Sequence, residues 1–253
     1  MIRFEHVTKR LGGRAILDDL SLEVNAGETL VILGPSGAGK SVTLKHIVGL
    51  MAPDSGSIYI GDDSITAAQG KDLERIRDRM GLLFQGGALL AWLNVGENVA
   101  LPLREKTKMG NDEILSVVNE KLRLVGLEKD FHKMPSEISG GMRKRVSLAR
   151  AIVNQPEVVL YDEPTSGLEP VTSRKIDDLI ENTRETLGVT SVVVTHDLHS
   201  ALSIGTRVAM LYNGRIIALA SPKELMESDQ AQVREFLDAQ YITTPGPWER
   251  DRA

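Results

Sequence analysis

The chain of 253 residues has no cysteine, so no disulfide framework or thiolate metal site can form, a composition compatible with a reducing compartment. Its five histidines are scattered. Basic residues do not dominate: 30 Lys and Arg against 35 Asp and Glu leave a net charge of -5, which argues against a broad nucleic-acid-binding face. No apolar run approaches the roughly 20 residues that cross a bilayer, and the opening "MIRFEHVTKR" lacks the apolar core of a signal peptide. There is no internal repeat or low-complexity segment. These absences predict a soluble chain that meets a membrane only through partners.

What is present is ordinary for a globular protein, 42% hydrophobic and 26% charged residues, in a length sufficient for one large α/β domain or a core with a subdomain. "IRFEHVTKRL" and "LDDLSLEVNAGE" alternate apolar and polar residues and break at Gly12-Gly13, as an antiparallel layer does. "TLVIL" at 29 to 33 is a continuous apolar run of buried-strand length that feeds a glycine-rich turn and a helical segment. "EVVLYDE" at 157 to 163 and "TSVVVTHD" at 190 to 197 are two more such strands, with a helix expected around 171 to 187. A last hairpin is expected in "RVAMLYNGRIIALA", turned at Asn213-Gly214.

Between these halves, residues 87–150 read as a helical insertion, so the expected organisation is 1–86 with 151–220 as the core, 87–150 inserted, and 221–253 a C-terminal extension. Within the insertion, "NDEILSVVNEKLRLVGL" predicts a helix with Asn111 as its cap and Gly126 past its end. The tail opens amphipathic from Ser221 and ends in a Pro/Gly-rich, charged stretch.

"GPSGAGKS" at 34 to 41 fits G-x-x-x-x-G-K-[ST] in the strand-turn-helix context that this motif requires. Gly34, Gly37 and Gly39 would let backbone amides approach phosphate oxygens, Lys40 would reach the β and γ phosphates, and Ser41 would ligate Mg²⁺. "VVLYDE" supplies a buried strand ending in two carboxylates, with Asp162 an outer Mg²⁺ anchor and Glu163 a candidate general base. Gln85, after another apolar run, could contact Mg²⁺ or the attacking water, although a lone Gln at a strand end is more often structural. His196, where a buried strand meets a loop, could steady the γ-phosphate, although a lone histidine there is more often a hydrogen-bonded structural residue.

"EISGGMRKR" at 137 to 145 raises a separate question, because a Ser-Gly-Gly turn opening a helix is itself suited to an anion, and the chain already has one phosphate cradle. Taken in order, the phosphate loop, Gln85, "ISGGM", "LYDEPTSGLEP" and His196 make the chain similar to the ATP-binding subunits of ABC transporters over essentially its whole length. The resemblance implies an α/β fold: a P-loop NTPase core with an antiparallel β subdomain and an inserted α-helical subdomain. It implies ATP and Mg²⁺ as ligands, with the phosphates wrapped by Gly34, Pro35, Ser36, Gly37, Ala38, Gly39, Lys40, Ser41, Val42 and Thr43. Metal contacts would come from Ser41, Gln85 and Asp162, and the hydrolytic set would be Glu163, His196, Gln85 and Lys40. It further implies a head-to-tail homodimer in which Ser139, Gly140, Gly141 and Met142 close over the partner's nucleotide, so that two half-sites on one chain belong to two different complete sites. Residues Ser166 to Pro170 would form the loop that crosses the interface.

Three positions depart from the family pattern. Leu11 stands where an aromatic residue usually stacks on adenine, Met142 replaces the Gln that ends the signature, and Glu169 replaces the Asp before Pro170, where a helix N-cap favours the shorter side chain. "GLLFQGGALLAWLNVGENVALPLRE" and "ISGGMRKRVSLARAI" narrow the resemblance to the ATPases of Mla-type and Mce-associated lipid transporters. This branch implies a cytoplasmic-face motor docked on an integral membrane permease, with an MCE-type lipid-binding protein as a further partner and no nucleic acid. Arg143, Lys144 and Arg145 read first as a solvated helix face. "GALLAW" reads either as core packing or as the groove that takes a permease helix around Trp92. Other readings are an ABC ATPase serving another cargo, such as amino acids, and a soluble non-transport ABC ATPase acting as a clamp or regulator.

Overall fold

The computed structural model describes residues 1–240; the Pro/Gly-rich end of the expected tail lies outside the described residues. In chain order, β1 (Ile2–Leu11), β2 (Arg14–Val24) and β3 (Thr29–Leu33) lead to α1 (Lys40–Ile47). They are followed by β4 (Ser55–Ile60), β5 (Asp63–Ser64), α2 (Gly70–Arg77) and β6 (Met80–Leu83). Three helices then intervene, α3 (Val95–Lys106), α4 (Asn111–Leu124) and α5 (Gly140–Ile152), before β7 (Val158–Asp162), α6 (Pro170–Leu187), β8 (Thr190–Thr195) and α7 (Leu198–Ile204). The described chain ends with β9 (Arg207–Tyr212), β10 (Arg215–Ala220), α8 (Pro222–Met226) and α9 (Ala231–Ala239).

Two sheets result. A four-stranded antiparallel sheet runs β2-β1-β4-β5, and a six-stranded sheet runs β10-β9-β3-β8-β7-β6. In the larger sheet the strands from β9 to β6 pair in parallel, and β10 closes the edge antiparallel to β9. The continuous apolar runs are explained by burial on both faces. In β3, Val31 and Leu33 point to the core shared with the helices, while Leu30 and Ile32 point to the core shared with the smaller sheet and α1. Strand β7 divides the same way, Val159 and Tyr161 on one face, Val158 and Leu160 on the other. The period-2 pleat therefore remains, with no polar side to reveal it in the sequence.

The hairpin expectations hold. Gly12 and Gly13 have φ of 56° and 80° between β1 and β2, and Asn213 and Gly214 have φ of 48° and 78° between β9 and β10, the left-handed pairs of a tight two-residue turn. Helix α4 also forms and Gly126 follows its end at φ 65°. Its cap is corrected: Gly110 occupies the N-cap, Asn111 is already helical, and no side chain caps the end. The following Asp112 and Glu113 instead place negative charge in the first turn, against the positive end of the helix dipole.

Helices α3 to α5 pack on one another and join the sheet at two crossings. The first follows β6, where Gly87 and Ala88 have φ of 78° and 46°; the second precedes β7, where Gln155 has φ 52°. Helix α5 extends two residues past the boundary expected at 150, so it reaches from the insertion onto β6. In the tail, Ser221 caps α8 by a reciprocal bond with Glu224, and Val233 and Leu237 of α9 are buried in the helical core.

Candidate functional site: a cleft at the strand ends

The phosphate loop leaves β3 at the carboxyl end of the parallel sheet, where β6, β7 and β8 also end, so the side chains expected to act together emerge at one rim. A cleft of ≈ 440 Å³ lies there. Its lining includes Leu11, Ser36, Gly37, Gly39, Lys40, Ser41, Val42, Gln85, Glu163 and His196. Ile16 of β2 also lines it, an apolar wall that strand alternation gave no means of singling out.

The glycines have reasons of their own. Gly37 (φ 82°) and Gly39 (φ 109°) need left-handed backbone, and a Cβ on Gly39 would stand 2.7 Å from the Ile16 carbonyl oxygen. Gly34 has a further constraint: its φ is not left-handed, and a Cβ there would collide with the Leu211 carbonyl of β9, so its small size admits a neighbouring strand. Pro35 and Ala38 brace the loop by a bond from the Ala38 amide to the Pro35 carbonyl at 3.2 Å. Thr43 stands behind the loop, fully buried, its hydroxyl donating to the Gly39 carbonyl at 3.1 Å.

Lys40 begins α1 and arcs back over the loop, its ammonium donating to the carbonyls of Gly34 (2.7 Å) and Pro35 (3.0 Å). The same Nζ stands 3.7 Å from Glu163 Oε1. Burial pushes the Lys40 pKa down, while the Glu163 and Asp162 carboxylates oppose that shift. Ser41 Oγ donates to Asp162 Oδ1 at 2.8 Å, which brings the two expected metal contacts together from residues 121 apart in sequence. Glu163 is 8% exposed, and His196 Nδ1 donates to its Oε2 at 2.9 Å. Thr195 Oγ1 lies 3.4 Å from the same oxygen, a contact that was not expected. Glu163 itself has φ 48°, a conformation that a side-chain-bearing residue adopts only where its surroundings hold it. Among the described residues, no group of three or more His, Cys, Asp or Glu could hold a metal ion. A cation at Ser41 and Asp162 would therefore take its remaining oxygens from elsewhere.

Ser139, Gly140, Gly141 and Met142 do not line this cleft. Ser139 is the exposed N-cap of α5 and accepts from the Met142 amide at 3.2 Å. A Cβ on Gly141 would stand 2.5 Å from Thr172 Cγ2, so glycine there lets α5 approach α6 closely. Glu169 is the N-cap of α6 and makes no side-chain capping bond, as its extra methylene leads one to expect.

Two expectations about the insertion are corrected. Lys144 is not solvated; it is 5% exposed and bonds to backbone carbonyls of Gln85 and Glu163. Arg143 stays exposed, as expected of a solvated face, while donating to the Ile138 carbonyl, and half-buried Arg145 donates to that of Val125. Trp92 is 73% exposed and so is not core. The nearby groove of ≈ 340 Å³ is lined instead by Phe84, Ala88, Leu101 and Pro102 among others, without Trp92.

The comparisons agree with this geometry. The family model described as "ABC transporter" matches residues 17–166. A relative from Mycobacterium leprae, "Probable ribonucleotide transport ATP-binding protein mkl", is 43% identical over 95% of this chain and 70% of its own length. "Intermembrane phospholipid transport system ATP-binding protein MlaF" of Escherichia coli strain K12 is 41% identical over 94% of this chain and 88% of its own. Among solved structures, the dimeric post-hydrolysis state of the ATP-binding cassette MJ0796 bound to ADP and Pi matches with TM-score 0.81 and 34% identity. That match covers 88% of this chain and 99% of the other. With that family model matched over residues 17–166 and relatives above 40% identity over nearly all of its length, the chain belongs to the ABC transporter family, as one of its ATP-hydrolysing cassettes.

Proposed function

We propose that this cassette works as a head-to-tail homodimer on the cytoplasmic face of a membrane permease and drives the movement of phospholipid or a related lipid. The observation that carries the reading is the convergence of Ser41 on Asp162 and of His196 on Glu163 in one cleft, while Ser139 faces solvent away from it. A second chain brings its own Ser139 to this cleft, and the twofold operation completes both sites at once. The similar cassette MJ0796 has been solved as a dimer, which supports this arrangement.

In each site, Lys40 and the loop amides bind the phosphates of ATP, and Leu11 with Ile16 flanks the base. The donor set of Ser41, Asp162 and Gln85 offers hard oxygens and fits Mg²⁺, which when bound neutralises charge on the β and γ phosphates. Glu163 accepts the proton of the attacking water, and His196 orients that carboxylate through Nδ1 and leaves its other nitrogen for the γ-phosphate. Closing the dimer excludes water from the cleft and supplies the Ser139 end of α5, so hydrolysis waits on assembly. The groove lined by Phe84, Leu101 and Pro102, with Glu105, Lys106 and Arg150 also in its lining, suits an amphipathic permease helix, and lies next to the crossing that carries Gln85.

The lipid cargo is supported by similarity to the phospholipid transport protein MlaF, and an MCE-type lipid-binding protein is the matching accessory partner. A ribonucleotide cargo is the second reading, favoured by the name of the 43% identical relative. Glu163→Gln keeps the shape of the side chain and removes the base, so it should hold ATP in the closed dimer. Purifying that form from native membranes should bring down a polytopic protein in fixed ratio together with phospholipid. Recovery without any membrane partner would sink the transport reading, and nucleotide in place of lipid would favour the second cargo.

A further inference from the structure

Lys144 has no part in the hydrolytic set, yet it is buried between the parts of that set. Its ammonium donates to the backbone carbonyl of Gln85, after β6, and to that of Glu163, after β7, the latter at 3.1 Å. Both residues turn their side chains to the cleft. Glu163 is fixed from two sides: its N–H donates to the Val194 carbonyl of β8 at 2.9 Å, and its carbonyl accepts from Lys144 of α5. Between these two bonds sits the left-handed φ of 48° that aims the carboxylate. Burial lowers the pKa of Lys144, and the carboxylates of Asp162 and Glu163 oppose that shift only in part. A side chain without a donor there would leave the Gln85 carbonyl without this partner and the Glu163 carbonyl with only the Ser166 amide, at 3.2 Å.

Lys144 also shares a helix with Ser139. Five residues along a helix amount to about 7–8 Å, so the cap that would meet the partner's nucleotide and the ammonium that holds this chain's carboxylate belong to one rigid turn and a half. We propose that Lys144 is a positioning residue that couples the two composite sites: when the N-terminus of α5 engages the partner's γ-phosphate, Lys144 carries that displacement to the Glu163 and Gln85 backbones of its own chain. This rests on the roles proposed above for Glu163 and Ser139. Occupancy at one site then sets the aim of the carboxylate at the other, which gives cooperative hydrolysis without any contact between the two nucleotides.

The test compares steady-state ATP hydrolysis by the full chain with Lys144→Met, Lys144→Arg and Glu163→Gln, alongside binding of a fluorescent ATP analogue. Lys144→Met should bind the analogue within about twofold of wild type, lose at least about tenfold in kcat, and show a Hill coefficient falling toward 1. Lys144→Arg keeps two donors and should return kcat to within about threefold. If Lys144→Met does not fold, Lys144→Gln, with a single neutral donor, takes its place in the same comparison. Wild-type kcat and Hill coefficient in a folded neutral variant would overturn the inference. So would a loss of rate that follows nucleotide affinity in proportion and is not recovered by Arg. Glu163→Gln separates the two claims: if it turns over at the wild-type rate, the assignment of the base fails, whereas an inactive Glu163→Gln beside a fully active Lys144→Met refutes the coupling alone.

Discussion

Asp177 should make this protein less stable as the pH rises toward neutrality, and Asp177→Asn should remove that dependence. The residue lies on α6, is 6% exposed, and accepts from Ser200 Oγ at 2.9 Å through Oδ2. Its Oδ1 is buried with no hydrogen-bond partner. Burial pushes the carboxyl from 3.8 to about 6, with Asp197 and Asp178 adding to the rise and the Ser200 bond and Arg174 opposing it. The folded carboxyl is thus harder to ionise than the unfolded one, so between those two values the folded state holds more protons and stability falls as pH increases. At 1.36 kcal/mol per pH unit the full penalty is about 3 kcal/mol, complete above the folded value. About half of it, roughly 1.5 kcal/mol, is incurred between pH 5 and pH 7.5, because the unfolded carboxyl is already ionised at pH 5. Urea unfolding of wild type and Asp177→Asn at those two pH values measures it directly. The difference in unfolding free energy should shift by that amount in favour of the variant at the higher pH. A difference that does not change with pH would refute the claim that Asp177 is a buried carboxyl resisting ionisation.

Two further outcomes follow from the cleft. Chains carrying Ser139→Arg and chains carrying Lys40→Ala should each be inactive alone. Mixed in equal amounts they should recover activity up to a ceiling of about a quarter of wild type, since half the dimers are mixed and each has one competent site, and the coupling through Lys144 should hold it below that ceiling; no recovery would argue against completion in trans. Leu11→Tyr should tighten ATP binding about fivefold, as a stacking gain of about 1 kcal/mol requires, read by calorimetric titration. An unchanged affinity would remove residue 11 from the base contact.

Much of this site was legible because its signals are local. Turn chemistry at Gly37 and Gly39, an apolar strand ending in Asp162 and Glu163, and an Asn-Gly hairpin are each dictated by a few adjacent residues. Burial between distant elements was not legible. Lys144 looked solvated because a run of three basic residues carries no sign that α5 lies across the ends of β6 and β7. The second constraint on Gly34, the Leu211 carbonyl, was invisible because it comes from a strand 177 residues later. The segment with β4, β5 and α2 gave no clear reading, its elements being only 6, 2 and 8 residues long and interrupted by glycine and serine. At the start of α4, the cap was placed on Asn111, one residue late, because a capping side chain is the usual signal and Gly110 offers none.

The two crossings that join α3–α5 to the sheet bear on how such a protein diversifies. Left-handed backbone at Gly87 and Ala88 on one side and at Gln155 on the other makes each crossing a sharp corner, and between the corners the three helices pack on the sheet through one core. Under the proposed docking on a permease, their outward faces would vary with the partner without disturbing the strand ends, provided the corners and the inward-facing Lys144 are kept. A cassette of this design separates the surface that chooses a partner from the chemistry that powers it, and the exchange of one without the other is confined to two short stretches of chain.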